Sequence, residues 1–247
     1  MKIILNKKRL PKIIGNEKNL GFVPTMGALH LGHISLIKKS LINSNKTIVS
    51  IFVNRYQFNQ KNDFKNYPKS IKKDISILKN LKVDYLYLPK EKDIYPKGLN
   101  KKIKISPFSK KLCGKFRPGH FKSVVDVVDR FVKILKPKKI YLGEKDMQQL
   151  KLIENYFKRN NINCTVIKCK TIREFGGLAY SSRNILLTKN EKKIASKIYK
   201  YLKNKKQNLI NKKINLITIK KNVFKLGVDK IDYIEMLDIN KIINPHK

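Results

Sequence analysis

Two imidazoles stand three residues apart, with a glycine between them, in His30-Leu31-Gly32-His33. They close a longer run, Pro24-Thr25-Met26-Gly27-Ala28-Leu29-His30-Leu31-Gly32-His33. The apolar stretch Leu20 to Val23 precedes this run, and Ile34, Ile37 and Leu41 follow it at helical spacing. That order predicts a strand, a tight glycine-bearing turn and a helix start carrying both histidines. The first N–H groups of a helix lack partners and its dipole end is positive, so the position attracts phosphate. Small residues at Gly27, Ala28 and Gly32 let a nucleotide approach the backbone closely. Imidazoles at His30 and His33 then donate to phosphoryl oxygens as charge develops there. Two other readings remain open at this point. The histidines are incidental to a helix start, or they are zinc ligands with Cys113 or His120 as a third. No other His/Cys cluster has zinc-like spacing.

Four further segments carry polar groups suited to chemistry. Asn54-Arg55-Tyr56-Gln57-Phe58 offers amides that donate and accept, as a small hydroxy acid requires. Arg117-Pro118-Gly119-His120-Phe121 offers a guanidinium and an imidazole. In Gly143-Glu144-Lys145-Asp146, followed by Gln148 and Gln149, a lysine can meet phosphate and an aspartate can help hold magnesium. Ser181-Ser182-Arg183-Asn184 offers hydroxyls and a positive fork for polyphosphate.

The elements that must position these groups follow from periodicity. Ile48 to Val53 is a β-branched run suited to a strand buried on both faces. Ile71, Ile75 and Leu78 have helical spacing, and Val83 to Leu88 reads as a strand. A long connection with Pro96, Gly98, Pro107, Gly114, Pro118 and Gly119 leads to a helical stripe, Val124, Val128, Phe131 and Leu135. Ile140 to Leu142 reads as a strand, Leu150, Ile153 and Phe157 as a helix, and Cys164 to Ile167 as a strand. The alternation implies an α/β fold: a Rossmann-like, doubly wound parallel sheet. Its ligands bind at the carboxyl ends of strands, where the motif loops after Val23, Val53 and Leu142 fall. Residues 1–171 form this expected nucleotide-binding domain. Composition shifts afterwards, and Thr188 to Glu191 reads as a capping box opening a helix with Ile194, Ile198 and Leu202. Residues 172–247 are expected to form a smaller α+β lid domain.

At 247 residues, 41% of them hydrophobic, the chain can bury a sizeable core. No apolar run approaches a membrane span, and the N-terminus lacks a signal-peptide pattern. Three scattered cysteines, Cys113, Cys164 and Cys169, argue against a disulfide framework and for a reducing, cytoplasmic compartment. A net charge of +40 gives nonspecific attraction to polyanions. The lysines are spread over the whole chain and no nucleic-acid-binding motif occurs, so no specific nucleic-acid partner is expected. The absence of a Gly-x4-Gly-Lys-Ser/Thr run excludes a P-loop NTPase.

Taken in order, the five motifs over residues 20–190 closely resemble the pantothenate synthetases (pantoate–β-alanine ligases) of the His-x-Gly-His nucleotidyltransferase group. The resemblance implies a two-step reaction: ATP and pantoate give pantoyl adenylate and pyrophosphate, then β-alanine displaces AMP. It implies His33 as proton donor; we read His30 and His33 instead as a pair stabilising the pentacoordinate phosphorus and the leaving pyrophosphate. Met26, Gly27, Ala28, Leu29, His30, Leu31, Gly32 and His33 match ATP-binding positions. So do Gly143, Glu144, Lys145 and Asp146, and Ile172, Tyr180, Ser181, Ser182 and Arg183. Gln57, Gln149, Asn54 and Tyr67 match the positions around pantoate and β-alanine. Mg2+, which the Asp146 carboxylate can help hold, is expected beside ATP, and the resemblance implies a homodimer. Three departures stand out: Arg55 replaces a usual proline, Lys69 a usual arginine, and Gly176 a usual aspartate. Loss of that aspartate is expected to loosen the loop leading into Ser181. The chain stops at Lys247, short of a typical member, so a minimal second domain is expected.

Overall fold

In the computed structural model the described residues are 1–239, so residues 240–247 of the expected lid lie outside them. Six parallel strands form one sheet in the order β1-β4-β3-β2-β5-β6. They are β1 (Lys2–Ile4), β2 (Leu20–Thr25), β3 (Lys46–Ile51), β4 (Tyr85–Tyr87), β5 (Lys139–Gly143) and β6 (Thr165–Cys169). Helices α1 (Leu10–Ile14), α2 (Leu31–Asn43), α3 (Lys61–Lys65), α4 (Ile71–Asn80) and α5 (Glu91–Ile94) fall within the first half. Then come α6 (Cys113–Phe116), α7 (His120–Leu135), α8 (Met147–Arg159), α9 (Lys189–Ile210) and α10 (Leu216–Phe224).

Successive residues of a strand face opposite sides of the sheet, and here both sides are buried. Phe22, Ile48, Tyr87 and Ile140 pack into one core with Val124, Val128 and Phe131 of α7 and Leu150 and Ile153 of α8. Their neighbours Val23, Val49, Leu86 and Tyr141 pack into the other, against Ile37 of α2 and Leu78 of α4. The sheet is therefore doubly wound, as the apolar runs imply.

The chain winds outward from β2 to β3 and β4, then returns to place β5 on the other side of β2. This is the switch point where such sheets bind ligands. β2 pairs with β5 only at Gly21 and Phe22, whereas it stays paired with β3 through Thr25. The two central strands thus part towards their carboxyl ends. Thr25 O accepts from Phe52 N on the β3 side, so Pro24, one residue earlier, faces the β5 side. No strand partner remains there, and a residue without an N–H is tolerated. This is why β2 continues through Pro24 and Thr25, beyond the expected Leu20 to Val23.

Other boundaries moved by one to two residues, and the edge strand β1 was not anticipated. After β6, the regular structure is chiefly helical, with an isolated antiparallel bridge between Arg173 and Ala179. The capping box at α9 is present: Thr188 N donates to Glu191 Oε2 at 2.7 Å and Glu191 N to Thr188 Oγ1 at 3.2 Å. The loop with Gly176 is not loose. Asn184 Nδ2 bonds Glu174 Oε1 and Ala179 O at 2.9 and 3.0 Å, and the Arg173 guanidinium sits 3.6 Å from the Tyr199 ring centre. A Cβ at Gly176 would lie 2.7 Å from Ser196 Oγ, so α9 packs directly on this glycine.

The long connection before α7 is anchored by Arg130. Its Nε donates to Asp126 Oδ1 at 2.7 Å, and its other nitrogens bond Ile94 O and Gly98 O at 2.8 and 2.9 Å. Asp126 is 2% exposed. Arg130→Ala strips a buried carboxylate of its cation, and we expect a loss of about 3 kcal/mol in urea unfolding. An unchanged midpoint would contradict this anchoring role.

Candidate active site at the switch point

Two adjoining cavities, of about 220 and 150 Å³, open where β2 and β5 part. The larger has an apolar floor of Phe52 and Val124, Val127, Val128 and Phe131. Gly143, Ile172 and Tyr180 also line it. The smaller is polar, with Arg117, His120, Ser181, Ser182 and Arg183. Met26, His30, His33, Gln57, Tyr67, Lys145, Asp146 and Gln149 line both, so the two spaces form one continuous site.

His30 is the N-cap of α2, and its Nδ1 accepts the Gly32 N–H at 3.1 Å. In the neutral ring the proton therefore sits on Nε2. A Cβ at Gly32 would lie 2.8 Å from His30 Cε1, so only glycine lets the ring fold back onto the helix end. His33 stacks on His30 with ring centres 4.0 Å apart. Burial, then the neighbouring Lys145, lowers His30 to a pKa of about 4. Burial, then His30 and Lys145, lowers His33 to about 3. Both rings are neutral at pH 7 and act as N–H donors. His33 Nδ1 is buried without a hydrogen-bond partner.

Four residues of the expected ATP motif do not reach the cavity lining. Gly27 and Ala28 form a turn with φ of +82° and +49°. The amides of Ala28 and Leu29 donate to Asp74 Oδ2 and Oδ1, at 2.9 and 2.8 Å, and are not free for phosphate. Leu29 belongs to the second core, and Leu31 is 51% exposed. Glu144 also lies outside the lining. The open amides imagined along this run are thus largely spent within the protein.

Asn54 is 1% exposed and serves as a hub. Its Oδ1 accepts from the Tyr95 hydroxyl at 3.1 Å, and its Nδ2 reaches Ser123 O and Gln57 Oε1, both at 3.4 Å. Gln57 Nε2 rests on Met26 Sδ at 2.8 Å, a weak acceptor that a ligand oxygen readily replaces. His120 Nδ1 bonds Gln57 O at 2.7 Å, and burial lowers the pKa of His120 to about 4. His120 therefore holds the Gln57 turn. The adjacent glutamines of α8 divide: Gln149 faces the cavity, while Gln148 Nε2 bonds Phe108 O and Lys111 O at 2.8 and 2.7 Å.

Arg183 lines the smaller cavity, but its Nε and Nη2 grip Asp63 at 3.0 and 2.9 Å. Ser181 Oγ accepts from Arg183 N, and Ser182 Oγ donates to Ala28 O at 3.1 Å. Cys113 Sγ donates to Gln148 Oε1 at 2.8 Å, away from the histidines, and no three metal-ligating side chains group together among the described residues. The zinc arrangement with Cys113 or His120 is not formed.

Sequence reasoning missed Asp63, Asp74 and Val127. Asp74 carried a signal: it occupies the apolar stripe Ile71, Asp74, Ile75, Leu78, where a carboxylate must find buried donors.

A parallel sheet that presents a helix N-terminus and a cation-lined recess at its switch point belongs among the nucleotide-binding α/β proteins. More narrowly, the family model described as Pantoate-beta-alanine ligase matches residues 2–247, and the chain belongs to that family. A pantothenate synthetase of Fervidobacterium nodosum is 39% identical over 235 residues, covering 94% of this chain and 84% of the relative. One of Francisella tularensis subsp. novicida is 49% identical over 191 residues, covering 76% and 72%. The structure of the Francisella tularensis pantoate-beta-alanine ligase, complexed with beta-gamma ATP and beta-alanine, superposes with a TM-score of 0.88 at 43% identity. It covers 96% of this chain and 90% of that one. The Thermus thermophilus enzyme gives 0.90 at 29% identity, covering 99% and 90%.

The buried histidines set an acid limit. His30, His33 and His120 have pKa values of about 4, 3 and 4 in the folded chain, against an ordinary 6.5. Below pH 6.5 the unfolded chain takes up protons that the folded chain refuses, so stability falls as pH drops towards 4. We expect the urea midpoint to be level from pH 7 to 8 and lower at pH 5. A midpoint unchanged at pH 5 would contradict the burial of neutral rings.

Proposed function

We propose that this protein joins pantoate to β-alanine at the expense of ATP, through a pantoyl adenylate. The observation that carries the reading is the union of the two cavities: an apolar floor with glutamine amides opens directly into a cation-lined recess across His30 and His33. The floor suits the two methyl groups of pantoate, and Gln57 and Gln149 suit its hydroxyls and carboxylate. The recess, with Arg117, Lys145 and Arg183, suits polyphosphate. The Francisella structure with a nucleotide and β-alanine supports the same assignment.

In the first step a pantoate carboxylate oxygen attacks the α-phosphorus, and the bond from that phosphorus to the bridging oxygen of pyrophosphate breaks. Anion meets anion, so the protein's work is positioning and charge stabilisation. His30 donates a hydrogen bond from Nε2, and His33 donates one beside it to the departing oxygen, so that pyrophosphate leaves as its anion with both rings still neutral. Tyr180 and Ile172 border the nucleotide, with Gly143 beneath it. Ser181 and Ser182 set the adjoining turn, and Arg183 exchanges Asp63 for phosphate oxygens. Asn54 and Tyr67 hold the walls around Gln57. In the second step the β-alanine amine attacks the acyl carbon and AMP leaves with the carboxylate oxygen.

Mg2+ fits this site through Asp146, whose carboxylate is 57% exposed and 3.2 Å from Lys145 Nζ. Magnesium commonly takes one or two carboxylates, with phosphates and waters filling the other positions. When bound, it neutralises polyphosphate charge. We further assign residues 172–239, the described part of the expected second domain, as a lid over the nucleotide, and the active form as a cytoplasmic homodimer. Among the described residues no helix is long and apolar enough to cross a membrane.

Pyrophosphate release from Mg-ATP should require pantoate and stop near one equivalent per site until β-alanine is added. Release independent of pantoate, or none from folded protein, would overturn the reading. His33→Ala should slow that release by about 100-fold or more. Gln57→Ala should raise the apparent KM for pantoate with little change in KM for ATP. An unaltered pantoate KM would remove Gln57 from the binding role.

A further inference from the structure

We propose that Asp74 is a positioning residue for the two histidines, a buried carboxylate that fixes the left-handed turn ahead of α2. The proposal deepens the adenylate-forming reading, on which its kinetic test rests. Ala28 has φ of +49°, a conformation that non-glycine residues rarely adopt and that persists only when the surroundings over-determine it. The surroundings here do so from both sides of the residue. Asp74 Oδ2 accepts the Ala28 N–H at 2.9 Å, Asp74 Oδ1 accepts the Leu29 N–H at 2.8 Å, and Ser182 Oγ donates to Ala28 O at 3.1 Å. Asp74 is 1% exposed, and Ser70 Oγ donates to its Oδ1 at 3.1 Å. Its donors are short-range and fixed, as a buried carboxylate requires.

Gly27 completes the clamp. A Cβ there would lie 3.1 Å from Asp74 Oδ2, so the glycine admits the carboxylate as well as the positive φ. His30 follows Leu29 directly, and the orientation of this turn sets the direction in which the imidazole leaves the N-cap. Asp74 also keeps anions off the turn: it consumes both amides and repels phosphate. The polyphosphate is thereby directed to the helix end and the Lys145 recess. Asp74 touches neither nucleotide nor pantoate in this account and acts only through residues 27–30.

Asp74→Asn keeps the shape but places an NH2 group against one of the two amides. We expect pantoate-dependent pyrophosphate release to slow by about 30-fold, since small displacements of reacting groups have effects of this size. Aminolysis of supplied pantoyl adenylate by β-alanine should be unchanged. Equal losses in both half-reactions, or a wild-type rate of release, would overturn the proposal. Amide hydrogen exchange at Ala28 and Leu29 should accelerate in the variant; unchanged exchange would also overturn it. If wild-type protein releases no pyrophosphate, the functional reading fails, and amide exchange still decides whether the clamp exists. Should Asp74→Asn not fold, Ser70→Ala removes one bond to the same carboxylate and is judged by the same ratio and the same amides.

Discussion

A buried imidazole pair can hold only so much charge. With ring centres 4.0 Å apart and burial disfavouring charge, His30 and His33 are both driven to the neutral form. Neutral rings accept a polyanion without first giving up a solvation shell of their own. They supply directed N–H donors at the end of a helix whose dipole already favours negative charge. The remaining positive charge comes from Lys145, Arg117 and Arg183, which line the recess. Attraction and hydrogen-bond donation are thus assigned to different groups.

The space for this arrangement comes from the sheet. β2 leaves β5 after Phe22, and the gap becomes the cavity. Gly32 lets an imidazole lie against the first turn of α2, while Gly27 lets the chain reverse over Asp74. Loops from three strands and the segment around Ser182 then close on one point. The Ser182 bond to Ala28 O ties the chain after β6 to the motif, so events at the nucleotide and in the C-terminal region share a contact.

Much of this was legible in the sequence, and the reasons are physical. Runs such as Ile48 to Val53 suit strands buried on both faces, and their alternation with helical stripes implies a doubly wound sheet. The histidine positions followed from the glycine between them and the helix behind. What was not legible depends on tertiary partners. Nothing local says that the Ala28 and Leu29 amides are taken by a carboxylate more than forty residues away, or that Arg183 is paired with Asp63. Composition treats Gln148 and Gln149 alike, yet the helix turns one to the cavity and the other to two carbonyls. The missing aspartate at position 176 suggested a loose loop, but Asn184, Arg173 and the close approach of Ser196 hold it instead.

The central claim is that a pantoate oxygen bonds to the α-phosphorus and later leaves with AMP. Pantoate labelled with 18O in both carboxylate oxygens tests this directly in one complete turnover. The account predicts one labelled oxygen in AMP and the other in the new amide carbonyl, with none in pyrophosphate. AMP free of label, or label appearing in inorganic phosphate, would contradict it.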